Sequence, residues 1–199
     1  SEISKRITDK TSDKLTHYLR LKSDGIMISS KTLNIDNPKL NCRLKGFSQF
    51  SPKRIILDRN LEINLKSYIA KTIKNENTII FHNSNDKSKI KLLKKRGTIL
   101  INQPADKYKN LNLKKILKDL YKMEIRNLLV EGGDILTKKF LEKKLFNEFY
   151  MFRSSKNLST NKKYVNFTSF SILNTKYNKH KINSKLANDK LTIYKNWNV

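Results

Sequence analysis

Cysteine, proline and glycine are scarce in this chain: one, three and five among 199. The single cysteine, Cys42, excludes an internal disulfide and suits a reducing compartment. Long apolar runs are missing as well. No window approaches the roughly 18 uninterrupted apolar residues of a membrane span, and no charged-then-apolar signal peptide opens the chain, so a soluble, cytoplasmic protein is expected. Carboxylates are few beside the cations: 17 Asp and Glu against 43 Lys and Arg leave a formal charge of +26.

Such a charge invites a nucleic-acid partner, because clustered Lys and Arg gain affinity for phosphate backbones by releasing counterions. Here the cations are mostly lysines strung along the whole length among asparagines. They lack the aromatic interleaving of a single-strand platform, and no DNA-binding motif is recognisable. A composition rich in Lys and Asn and poor in Gly and Pro follows equally from a genome biased in its base content. That explanation is preferred, and nucleic acid is not the expected partner. What the chain does have is 37% hydrophobic residues, enough to bury a core at the length of one large domain or two small ones.

The periodicity of those residues alternates. Asp9 to Leu21 carries Leu15, Tyr18 and Leu19 at helical spacing behind a capping Thr8 or Asp9, with His17 on the exposed side. Gly25 to Ser29 is a short buried strand, and the segment NIDNPKL (Asn34 to Leu40) is expected to turn, since Asn37 precedes Pro38. RIILD (Arg54 to Asp58) and TIIFH (Thr78 to His82) are continuous apolar runs, the pattern of strands covered on both faces. TILI and NLLV supply two further strands, with helices predicted over Lys87 to Arg96 and Leu111 to Met123. This order predicts an α/β fold with a mainly parallel sheet flanked by helices. After Phe152 the chain turns to Asn, Ser and Lys with weak alternation. FTSFSIL and KLTIYK are expected there as antiparallel strands closing the same sheet. Phe167, Phe170, Ile172 and Leu173 would leave apolar surface on a lone domain, so a homodimer is expected.

Two of the five glycines stand together, Gly132 and Gly133, between the strand NLLV and the predicted helix DILTKKFLEKKL. A helix start there leaves amides without internal partners at the positive end of the dipole, and glycines let a phosphate approach without a Cβ in the way. Glu131, at the carboxyl end of a buried strand, would project into the crevice where open α/β sheets bind ligands. The plainer alternative is a tight turn followed by a solvated loop charge. The pair is neither a dinucleotide G-x-G-x-x-G nor a Walker loop.

The stretch SKRITDKTSDKLTHYLRLKSDGIMISSKTLNIDNPKLNCR, followed by KRIILDRNLEI and later by LLVEGG, resembles the pyrimidine reductase domain of riboflavin biosynthesis over about Ser4 to Phe152. The most specific parts are Thr32 with Asp36-Asn37-Pro38, Leu40 with Arg43, ILDR, and VEGG leading into FLEKKLFNEF. The resemblance implies a dihydrofolate-reductase-like fold, taken as one domain over residues 1–199 with 153–199 weakly matched. It also implies hydride transfer from NADPH to C1′ of 5-amino-6-(5-phosphoribosylamino)uracil, giving the ribitylamino product. In bacteria the domain is usually the C-terminal half of a bifunctional protein, which makes an upstream deaminase domain an expected partner. Position by position, the resemblance turns Ser4, Arg20, Leu40, Arg43 and Glu131 toward the phosphorylated pyrimidine substrate. Arg6, Thr32, Asp36, Arg59, Gly133, Asp134, Ile135, Leu136 and Thr137 face NADPH.

The residue types suit these roles. Arg20 and Arg43 can grip a phosphate through bidentate charge-assisted bonds, and Arg59 can hold the adenosine 2′-phosphate that separates NADP from NAD. Plainer alternatives stand beside them: Arg20 complementing a helix dipole, Asp36 bracing an Asx turn, Arg59 as one surface charge among many. Cys42 is expected as a small buried residue. Hydride transfer needs no protein nucleophile, so no catalytic side chain is assigned. No H-x-E with a later P-C-x-x-C occurs, so no zinc site is expected.

Departures from the family pattern are confined to four places. Its opening K-x-A-x-S-L-D-G strand and loop are missing ahead of Ser4, so further chain before Ser1 is expected. Arg6 replaces the usual Trp, Ser29 and Lys31 replace glycines of a G-x-G-T turn, and RSSKNLS replaces A-P-K-x-x-G. Two other classes of function remain open on the sequence: a basic protein binding RNA or another polyanion on the same scaffold, and a non-catalytic domain supporting a partner.

Overall fold

The computed structural model describes residues 8–75, 77–156, 167–177 and 181–196. They fall into two compact units, one spanning His17–Gly133, the other formed by residues 8–16 with those from 134 onward. Each is described by itself.

The first unit is a five-stranded sheet of order β4-β3-β2-β1-β5, built from β1 (Gly25–Ser29), β2 (Lys53–Leu57), β3 (Thr78–His82), β4 (Ile99–Asn102) and β5 (Leu128–Val130). Every pairing is parallel. The apolar runs explain it: Ile26, Met27, Ile28, Ile55, Ile56, Ile79, Ile80 and Phe81 are all at most 1% exposed, which requires cover on both faces. Burying each such side chain contributes about 1.5–3 kcal/mol. Gly25 opens β1, where a Cβ would press on Ile55 Cδ1. The starts of β1 and β5 are tied across the sequence. Asp24 Oδ2 accepts from the amides of Arg126 and Asn127 (2.9 and 2.7 Å), and the Asn127 carbonyl accepts from Asp24 N (2.8 Å).

Helices α2 (Ser30–Asp36), α3 (Tyr68–Lys71), α4 (Lys87–Lys95) and α5 (Leu113–Lys122) connect these strands. Their side-chain caps are Ser29, Ser67, Asp86 and Asn112, each accepting from an amide in the first turn. The helix α1 (Lys10–Leu21) precedes β1. Residues 34–36, expected to turn, are instead the last turn of α2. The break comes at Asn37, which is left-handed (φ 43°) and accepts from Tyr68 N through Oδ1 at 2.7 Å. The restriction imposed by Pro38 falls on Asn37 and not on the residues before it.

The second unit holds a separate antiparallel sheet of order β6-β8-β7, from β6 (Glu148–Arg153), β7 (Lys181–Leu186) and β8 (Asp189–Lys195), with helices α6 (Asp134–Glu142) and α7 (Phe170–Lys176). Leu141, Leu173, Tyr177 and Tyr194 form its core. Polar anchors are prominent. Buried Asp189 accepts from Asp9 N (2.8 Å) and Ser12 Oγ (2.6 Å), and Asp134 accepts from Thr168 N (3.0 Å), Thr168 Oγ1 (2.6 Å) and Ser169 Oγ (3.2 Å).

The α/β class, the mainly parallel sheet and the antiparallel C-terminal strands match the sequence expectation. Two details do not. FTSFSIL is no strand: it is the turn into α7 and most of that helix, with Leu173 and Tyr177 inward one turn apart. KLTIYK is β8, but it belongs to the separate sheet and not to the parallel one. Leu173, expected to add to an exposed apolar surface, is wholly buried, while Phe167 and Phe170 stay partly exposed. No helix among the described residues is long and apolar enough to cross a membrane.

Candidate functional site

At the carboxyl ends of β1 and β5 the first unit opens a cleft of about 350 Å³ lined by Ile28, Thr32, Asp36, Pro38, Leu40, Glu131, Gly132 and Gly133. Parallel strands generate such a crevice because their helices leave from one edge of the sheet. Ser29 caps α2 by accepting from Thr32 N at 3.3 Å, and the two hydroxyls lie 3.1 Å apart, which places Thr32 Oγ1 at the cleft. Gly133 faces the same hydroxyl. A Cβ built on it would lie 3.6 Å from Thr32 Oγ1, and its φ is outside the left-handed region, so neither strain nor a clash demands glycine here.

Glu131 receives a fork from Arg20. Nε meets Oε1 and Nη2 meets Oε2, both at 2.7 Å, while Nη1 donates to the Asn41 carbonyl at 3.1 Å. Their side chains are only 11% and 24% exposed, so this bidentate pair is partly shielded from solvent. The guanidinium of Arg20 is thus taken up by the carboxylate beside it. Leu40 is buried with φ 54°, the left-handed region that Leu disfavours. Arg43 is exposed, and no carboxylate pairs with its guanidinium among the described residues.

His17, expected on the exposed side of α1, is buried (8% exposed), and Tyr18 is the exposed one at 47%. Its Nδ1 accepts from Arg43 N at 3.2 Å, and its carbonyl accepts from Cys42 Sγ at 3.6 Å. Cys42 is buried, as expected.

Past β2, Asp58 is fully buried and accepts from Glu62 N and Ile63 N, both at 2.7 Å. Burial pushes its carboxyl above the usual range, against the pull of those amides. Arg59 shares its guanidinium between Asn60 Oδ1 (3.1 Å) and the Lys109 carbonyl, and no carboxylate neutralises it among the described residues. His82, at the end of β3, is pushed below its ordinary value by burial.

The structure therefore brings Thr32, Asp36, Leu40, Glu131 and Gly133 together at one cleft, with Arg20 bonded to Glu131. Asp134, Ile135, Leu136 and Thr137 open α6 in the second unit. The Asp134 carboxylate is committed to Thr168 and Ser169, whose hydrogen bonds, led by the Thr168 hydroxyl, hold it below the usual range. Ser4 and Arg6 lie outside the described residues. Sequence reasoning missed His17, Asn41 and Asp58; only the three-dimensional return of α1 onto residues 41–43 shows what the first two do.

Both the sequence and the fold are similar to those of known proteins. The sequence profile of the RibD C-terminal domain family matches residues 1–182. The riboflavin biosynthesis protein RibD of Aquifex aeolicus is 35% identical over 153 residues, covering 77% of this chain and 41% of that protein. The 5-amino-6-(5-phosphoribosylamino)uracil reductase of Buchnera aphidicola subsp. Acyrthosiphon pisum is 30% identical over 164 residues, covering 77% of this chain and 76% of that protein. Among solved structures, Acinetobacter baumannii RibD superposes with a TM-score of 0.72 at 20% identity, over 98% of this chain and 52% of that one, a likeness of fold. The chain thus spans less than half the length of the RibD relatives from Aquifex aeolicus and Actinobacillus pleuropneumoniae, at 41% and 40%.

Proposed function

This chain belongs to the RibD C-terminal domain family, and from that membership we propose that it reduces 5-amino-6-(5-phosphoribosylamino)uracil to the ribitylamino product with NADPH. The observation that carries the reading is the cleft: five of its lining residues, Thr32, Asp36, Leu40, Glu131 and Gly133, are positions that the family resemblance assigns to substrate or cofactor. The reductase name of the Buchnera relative, matched over most of its length, supports the same reading.

The residues present suit a nicotinamide dinucleotide phosphate. Gly133 leaves open the space a Cβ would fill, which suits close approach of a diphosphate to the backbone. Thr32 and Asp36 offer a hydroxyl and a carboxylate to polar atoms of the cofactor. Arg59, carrying a charge with no carboxylate partner among the described residues, is assigned to the 2′-phosphate. NADPH, when bound, supplies the hydride that C1′ of the sugar accepts. On the substrate side, Glu131 is oriented by the Arg20 fork, and the exposed Arg43 guanidinium, without a carboxylate partner among the described residues, is assigned to the 5-phosphate. In this division of labour the two arginines are not equivalent: one orients a carboxylate, the other meets an anion. A cytoplasmic setting, a deaminase domain in the same protein and a homodimer are part of this proposal.

Gly133→Ala tests the reading. Since the added methyl meets nothing closer than 3.6 Å, the melting temperature is expected to stay within error while NADPH affinity falls. Glu131→Gln, its companion, is expected to spare NADPH binding and to lower turnover. A Gly133→Ala protein that binds NADPH like the parent would remove the cradle from the proposal.

A further inference from the structure

The loop that carries Leu40 and Arg43 is held from behind by the last two turns of α1. Three hydrogen bonds make the tie: Arg20 Nη1 to the Asn41 carbonyl (3.1 Å), Cys42 Sγ to the His17 carbonyl (3.6 Å), and Arg43 N to His17 Nδ1 (3.2 Å). The first two use main-chain carbonyls as acceptors. The third depends on one buried side chain, and on its state: the amide donates, so Nδ1 must be unprotonated, which in a neutral ring puts the proton on Nε2. The loop needs such a hold because it enters through the left-handed Leu40, a conformation that Leu leaves when nothing fixes it.

We propose that His17 is a positioning residue for Arg43: by accepting the Arg43 amide it fixes where the exposed guanidinium stands, and so sets the preference for a phosphorylated over a dephosphorylated pyrimidine. This rests on the reductase reading and on Arg43 as the contact to the 5-phosphate. His17 touches neither substrate nor cofactor in this role; it acts through the backbone of the residue that does. The chemistry is specific to the acceptor. Asn in place of His puts Oδ1 at the same distance along the side chain as Nδ1 and can accept the same amide, whereas Leu fills the space with no acceptor and leaves the amide unpaired.

The experiment compares the parent, His17→Leu and His17→Asn. Steady-state kinetics use the phosphoribosylamino substrate, its dephosphorylated ribosylamino form and NADPH, and hydrogen exchange follows the amide of Arg43. Loss of one hydrogen bond to a positioned group predicts a KM about fivefold to tenfold higher for the phosphorylated substrate in His17→Leu. The dephosphorylated form and NADPH are expected to stay within twofold, and His17→Asn is expected to restore most of the difference. Faster Arg43 exchange in His17→Leu, slowed again in His17→Asn, is the readout independent of turnover. Unchanged exchange at Arg43, or a rise in KM shared by both substrates and by NADPH, overturns the proposal. A parent protein that turns over neither pyrimidine while Arg43 exchange still follows residue 17 overturns the reductase reading and leaves the positioning contact standing.

Discussion

In the parallel unit the strands are held by what covers them; in the antiparallel unit they are held by what they carry. β3 is buried at all five positions, whereas β8 is covered only in part: Asp189, Leu191 and Tyr194 are buried, Lys190 is exposed, and Thr192 and Ile193 are half-buried. Buried carboxylate and hydroxyl contacts such as Asp189 with Ser12 supply in the second unit a share of the order that continuous apolar cover supplies in the first. The cleft belongs to the first. A sheet that is dry on both faces leaves only its strand ends for chemistry, and those ends are where Glu131, Thr32 and Asp58 stand.

The sharpest way to break this comparison is a matched pair of truncations. Ile56, wholly buried in β2, is expected to cost about 2–5 kcal/mol on Ile56→Ala. Ile193→Ala, at a half-buried position of β8, is expected to cost well under half of that. Urea unfolding measures both, and equal losses would mean that the two sheets are packed alike. Next in size is a change that touches function alone in the parallel unit. On the proposed assignment of Arg59 to the 2′-phosphate, Arg59→Ala removes a charge-assisted contact of about 1.5–3 kcal/mol. NADPH binding is expected to weaken while NADH binding and the melting temperature hold; loss for both cofactors would take Arg59 off that phosphate.

A smaller effect is expected at the polar anchor of the other unit. Asp189→Asn keeps an acceptor but loses its charge, so Ser12 and the Asp9 amide bind less well, at about 1 kcal/mol. No loss in a thermal melt would show that this anchor contributes nothing net.

The smallest expected effect is in pH. His82 has its folded value below the ordinary 6.5, through burial first, so below about pH 6.5 the unfolded chain binds more protons and stability falls as pH drops. Asp58, pushed above 3.8, acts in the opposite sense as it gains its proton. Asp9 and Asp134 of the second unit are held below 3.8, so their stabilisation is present above that value and lost only as pH falls beneath it. His82→Asn is therefore expected to flatten the fall in stability between pH 6.5 and 5, and an unchanged slope would show that another group titrates there.

The same contrast governs what could be seen in the sequence. RIILD and TIIFH announce themselves because burial on both faces selects unbroken apolar runs, and observed strands start and stop within one residue of the expected ones. FTSFSIL deceives because Phe167, Phe170 and Ile172 among small polar residues imitate a strand, while the helical partner that decides, Tyr177, lies beyond the segment. At the site, Thr32, Asp36, Leu40, Glu131 and Gly133 were legible through the family pattern. His17 was not, because a polar residue in a helix is assigned to water unless the loop that reaches it is known. Asp58 was hidden inside a strand motif, its work done on backbone amides that leave no mark on sequence.

The lock between Asp24 and Asn127 bears on how the chain assembles. Strands β1 to β4 lie side by side in the order in which they are made, so a nascent chain can build them up by successive neighbouring additions. β5 alone must come back past all of them to the far side of β1, closing a loop of about a hundred residues at an entropic cost that grows with length. Until it arrives, β1 presents a bare apolar edge of the kind that pairs with other chains. Glu131 arrives with that last strand, so the chain carries an aggregation hazard for as long as its cleft lacks that carboxylate, and both end in the same step.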